Sequence, residues 1–156
     1  MISPELLRRY TFFGTLDDAH LKTIAMLSEE VFIEKGATLF HEGQAADTLY
    51  FLIEGSISLY YIAEEKYHPQ GHKEFLVGEI NPGEIFAISV LIEPYAYTST
   101  ARVDRDSRVL KIQAAALREQ LDAHHDLGYK LMRQLARAAM ERLGAARVLL
   151  AGCIEK

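Results

Sequence analysis

A chain of 156 residues, 49% hydrophobic and 25% charged, has room for one domain, or one domain plus an appended helix, around a real core. Its formal net charge of −5 argues against a general nucleic-acid binder. The single cysteine, Cys153, rules out an intrachain disulfide framework or a Cys-ligated iron–sulfur cluster within one chain.

The opening residues, MISPELLRRY, lack the apolar centre of a signal peptide, and no apolar run approaches the ~18 residues of a membrane span. A cytoplasmic protein is expected. Residues 1–30 read as helices. Ser3 and Pro4 form a cap and first position, and Thr15 caps a second segment with Leu16, Leu21, Ile24 and Leu27 near helical spacing.

From residue 31 to 112 the pattern changes to short β-rich runs: VFIEK, ATLF, TLYFLIE, SISLYYIA, KEFLVGEI, TSTARV and RVLKI. Turn signals at Gly36, Gly43, Gly55, Gly71 and Gly83 separate them. Many short strands at this spacing predict a β jelly roll or barrel.

Residues 113–156 turn helical again, with a short helix AAALREQL and one long helix over 127–151, capped by Asp122 or Asp126. Within the long helix Tyr129, Met132, Ala136, Ala139, Leu143, Ala146 and Leu150 step by three and four, a heptad seam. Leu131, Leu135, Ala138, Ala145 and Leu149 form a stripe beside it. Two apolar stripes need two partners. One is expected to pack on the β-roll and the other, the seam, to meet its copy in a homodimer.

The words KGATLFHEGQAADTLYFLIEGSISLY, INPGEIF and TSTARVDRDSRVLKI resemble the cyclic-nucleotide-binding domain of the catabolite-activator/FNR superfamily. The resemblance covers nearly the whole chain. It implies a mainly β fold with flanking helices, a β jelly roll followed by a long C-terminal dimerisation helix. In that family a glutamate in the ligand cassette accepts from the ribose 2′-hydroxyl, and an arginine pairs with the cyclic phosphate. Laid over this chain, Ala87 stands at the cassette glycine, Ile88 at the glutamate, Tyr97 at the arginine, and Thr98 and Ser99 at the small residues after it. Glu84 matches a turn acid that precedes the cassette, and Arg102 lies on the strand beyond, aimed at solvent or a surface acid.

Each missing charged anchor is worth roughly 1.5–3 kcal/mol, so the pair is worth about 3–6 kcal/mol, or a hundred- to ten-thousand-fold in affinity. The scaffold is therefore expected to be kept and the usual nucleotide chemistry lost. A ligand, whether a cyclic nucleotide or another small anion, is expected between Ala87, Ile88, Ser89, Tyr97, Thr98 and Ser99 of the cassette and Met132, Arg133 and Ala136 of the long helix.

Other sites are weaker. HPQGHKE brings His68, His72 and Glu74 together, but four residues apart across a Pro-Gly loop rather than in the His-x-His spacing of a cupin-like metalloprotein. No metal, cofactor or catalytic triad is expected. In the resembling superfamily a helix-turn-helix follows the long helix. None is expected here, so this chain alone should not bind nucleic acid, whether it is a stand-alone sensor or the effector part of a transcription regulator. The expected role is a non-enzymatic regulatory domain that senses a small ligand.

Overall fold

The computed structural model describes residues 2–64 and 72–154. Helix α1, Pro4–Arg8, begins with Pro4 after the extended Ser3, whose hydroxyl makes no capping bond. Helix α2, Asp18–Met26, starts two residues later than Thr15 would have it, because Asp17 is the cap. Its carboxylate accepts the His20 N–H at 2.8 Å, while Leu16 turns inward and is 2% exposed. That hydrogen bond is also the main reason the Asp17 carboxyl titrates below its ordinary range.

Six strands follow: β1 Ser28–Ile33, β2 Thr38–Phe40, β3 Thr48–Glu64, β4 His72–Ile80, β5 Ile85–Phe86 and β6 Thr100–Gln113. They pair antiparallel in the order β1-β6-β3-β4, with β2 on β6 and β5 on β3. The two longest strands correct the sequence reading. TLYFLIE and SISLYYIA are one strand, and so are TSTARV and RVLKI. Gly55 is not a turn between strands. It lies within β3, where the register against β6 shifts, at φ 115°. A Cβ there would sit 2.0 Å from Ser107 Oγ and 2.7 Å from Ser107 Cα, so glycine is what lets the bent strands touch. The turns at Gly36, Gly43 and Gly83 are real, each with positive φ. The expected turn at Gly71 lies outside the described residues.

The interior of the roll is apolar. Phe13, Phe51, Phe86, Leu52, Ile57 and Leu110 are wholly buried. Phe40 stacks on Tyr97 with ring centroids 4.1 Å apart, and Tyr50 on Phe86 at 5.1 Å. Such offset pairs add to the hydrophobic gain of burial.

Helix α3, Ala114–Ala123, leads through His124 into α4, His125–Ile154. Asp122 lies inside α3 and Asp126 in the first turn of α4, so neither is the expected cap. At 1.5 Å per residue α4 is about 45 Å long. Leu131 and Leu135 of the second stripe are buried, as is Leu127 one turn before them, and Ala138 packs partly on the core. Past Ala138 that stripe leaves the core. The seam stays outside, with Tyr129, Leu143 and Leu150 all exposed. Among the described residues no helix is long and apolar enough to cross a membrane.

Candidate ligand cavity

Strand β5 delivers Phe86 to the core and then breaks at Ala87, which takes the left-handed conformation, φ 65° and ψ 37°. A single 3₁₀ turn follows, Ile88–Leu91. Only glycine visits that left-handed region freely, so the position assigned to the cassette glycine does have a glycine-type backbone, occupied here by alanine. The loop then returns through Tyr95, whose N–H donates to the Ile92 carbonyl, and docks on residues 43–46. Gly43 donates to the Tyr97 carbonyl, Tyr97 to the Gln44 carbonyl and Ala46 to the Tyr95 carbonyl, each at 2.8–2.9 Å.

A residue that sequence reasoning missed holds this loop from behind. Arg118 of α3 donates through Nε to the Val90 carbonyl at 2.7 Å and through Nη2 to the Ala46 carbonyl at 2.9 Å. Its guanidinium also lies over the Tyr95 ring, 3.9 Å from the centroid. Its carbonyl partners lie 28 and 72 residues away in sequence, so no local signal marks it.

Between the cassette and α4 lies a cavity of about 360 Å³. Ala87, Ile88, Ser89, Tyr97, Thr98 and Ser99 line it on the cassette side, with Phe40, Leu59 and Val77 from the roll. The helix side differs from expectation. Met132, Arg133 and Ala136 are not among the lining residues; Ala139, Arg142, Leu143 and Ala146 are. The first half of α4 is fixed to the core through Leu127, Leu131 and Leu135, so the gap opens one to two turns further along. Arg133 instead points along its own helix, with Nη1 3.3 Å from the Tyr129 hydroxyl.

Tyr97 lines the cavity with its ring but spends its hydroxyl elsewhere. Only 4% exposed, it donates toward Asp47 Oδ1 at 3.1 Å or the Thr48 carbonyl at 3.2 Å and accepts from the Thr48 N–H at 3.1 Å. Burial, more than any neighbour, pushes its pKa up, and pushes that of Tyr50 up to about 12. Tyr97 is thus part of the core that forms the cavity floor.

The nearby charges sort clearly. Glu84 closes its own turn, accepting the Asn81 N–H at 2.8 Å. Arg102 forms a bidentate ion pair with Glu74. Arg142 donates to the Ile85 carbonyl and stands between this cavity and a second one, of about 280 Å³, whose lining includes Gly83, Glu84 and Arg137.

Of the residues weighed for metal, His68 lies outside the described residues. Elsewhere, at the junction of α2 and α4, His20 sits between Asp17 at 3.3 Å and Asp126 at 3.6 Å.

Residues 30–124 match the family described as the cyclic nucleotide-binding domain. The chain belongs to that family. Among curated relatives, this cyclic nucleotide-binding domain is 26% identical over 133 residues to a CRP-like cAMP-activated global transcriptional regulator of Mycobacterium tuberculosis. The match covers 85% of this chain and 57% of the regulator, so the chain spans little more than half the length of that relative. Among solved structures, it is similar to a protein of Geobacter metallireducens GS-15 named for cyclic nucleotide binding, at 42% identity and a TM-score of 0.80, covering 92% of this chain and 99% of the other. It is also similar to the N-terminal domain of a transcriptional regulator from Streptomyces coelicolor A3(2), at 28% identity and a TM-score of 0.66, covering 90% and 94%. The domain therefore has the antiparallel roll and long C-terminal helix of these neighbours, and the Mycobacterium and Streptomyces proteins are named as transcriptional regulators.

Proposed function

We propose that this domain is a non-enzymatic, dimeric sensor that binds a small ligand in the cassette cavity and reports it through α4. A cytoplasmic setting suits its single exposed thiol, Cys153. One observation carries the reading: Ala139, Leu143 and Ala146 of the exposed seam also line the cavity. A ligand there touches the surface on which a second copy would dock, so occupancy biases the position of the helix, the two-state element such a sensor needs. Output through nucleic acid would require residues beyond this sensor; the chain itself offers a net charge of −5.

The ligand is not an ordinary cyclic nucleotide held in the family manner. Ile88 offers no acceptor to a ribose hydroxyl, and the Tyr97 hydroxyl already serves Asp47 and Thr48. Without both anchors, cyclic AMP and cyclic GMP should bind no tighter than roughly the high-micromolar range. Isothermal titration tests this. Low-micromolar binding of either nucleotide would restore the family ligand.

A further inference from the structure

The cassette cavity, taken above as the ligand site, has one charged side chain on its wall among the described residues. That side chain is Arg142, from the second half of α4. One of its N–H groups donates to the Ile85 carbonyl, and among the described residues the others meet no acceptor and no carboxylate within ion-pair distance. Burial pulls its pKa down, partly offset by Glu84 and Glu141 nearby, yet a guanidinium stays charged at any working pH. The rest of the wall is apolar, from Leu59, Val77, Ile88 and Leu143, with hydroxyls from Ser89, Thr98 and Ser99. Among the described residues no carboxylate lines the cavity.

We propose that Arg142 is the anchor that selects the ligand, and that the ligand is a small organic anion with an apolar body and no need for a sugar-diol acceptor. This rests on the cavity being the ligand site. A desolvated guanidinium with free donors recognises a carboxylate, sulfonate or phosphate through charge-assisted hydrogen bonds. Apolar walls then reward a hydrophobic body, and 360 Å³, at the small end of ligand pockets, is enough for an aromatic body of about three rings. Ligand charge would be read from the helix rather than from the loop. An anion that draws Arg142 toward the cassette acts directly on α4, at the edge of the seam.

Two fluorescent probes with the same anilinonaphthalene body separate charge from shape: the anionic 1-anilinonaphthalene-8-sulfonate and the uncharged N-phenyl-1-naphthylamine. Each is titrated into the full 156-residue chain, with circular dichroism confirming that every variant is folded. The wild type should bind the anion at one saturable site per protomer, at least tenfold tighter than the neutral probe. Arg142→Gln should erase that preference and keep neutral-probe binding. Arg142→Lys should retain part of the preference, and Arg137→Gln, on the other cavity, all of it. Ser99→Phe, which fills the cavity, should abolish both. If both probes bind equally and Ser99→Phe removes both, the cavity reading stands and the role of Arg142 is overturned. If neither probe binds, or Ser99→Phe leaves both unchanged, the cavity reading fails and takes this proposal with it.

Discussion

Ala87 is held in a conformation that costs an L-residue roughly 1–2 kcal/mol, at the start of the turn that shapes the cavity. Glycine would remove that strain at some cost in unfolded-chain entropy. Ala87→Gly should therefore raise stability by about 1 kcal/mol, visible as a higher urea midpoint at unchanged slope. A drop in midpoint would mean that the Ala87 methyl, 8% exposed against the core, contributes more through packing than the backbone loses. Tyr97 is the opposite case. Replacing it by arginine to rebuild a phosphate anchor would remove the stack on Phe40 and the hydroxyl's bonds to Asp47 and Thr48, so the scaffold would be lost before a nucleotide could be gained. Tyr50 gives these buried phenols a pH signature. Its pKa is raised to about 12 by burial, so the folded state resists ionisation that the unfolded chain undergoes near pH 10. The unfolded state then binds fewer protons, and the stabilising contribution, complete below pH 10, is lost as pH rises toward 12. Chemical denaturation at pH 8 and pH 11 should show a loss on the order of 1 kcal/mol from this group, reduced in Tyr50→Phe.

At the scale of elements, the cassette loop is fixed by α3 through one side chain. Removing Arg118 leaves the Val90 and Ala46 carbonyls without their charged donor. Arg118→Ala should cost about 2–3 kcal/mol and speed amide exchange in residues 90–97, while β1 and its pairing with β6 stay protected. Uniform loss of protection would show that Arg118 supports the whole roll and not the loop. Much of the element plan was legible in the sequence, because periodicity and glycine spacing are local signals. The seam and inner stripe of α4 could be counted off by threes and fours, and Leu131, Leu135 and Ala138 do face the core. The failures share a cause. Glu54-Gly55 looks the same whether glycine makes a turn or admits Ser107 against the backbone; only the opposing strand decides. The heptad says which residues share a face of α4 but not where along its length the roll ends. Met132, Arg133 and Ala136 were therefore expected at a cavity that Ala139 to Ala146 line. Arg118 and Arg142 act on carbonyls far away in sequence, beyond the reach of any window.

At the scale of the molecule, the distal half of α4 is an apolar rod with little to cover it. Met140, Leu143, Val148, Leu150 and Ile154 are between 52% and 75% exposed. Leu143→Arg should leave the protomer folded, since the site is half in solvent, yet convert a dimer to a monomer by placing like charges opposite one another. Sedimentation equilibrium distinguishes these states, and a variant that remains dimeric would move the interface off the seam. The alanines at 139 and 146 belong to two surfaces at once, one wall of a cavity and one strip of the rod. Reciprocity follows from thermodynamic necessity: whatever factor a bound anion contributes to self-association, self-association contributes to anion affinity. A coupling of about 1.4 kcal/mol would make that factor ten in both directions. The amount of protein in the cell would then tune its own sensitivity. A scarce sensor would need more ligand to respond, an abundant one less, with no change of sequence.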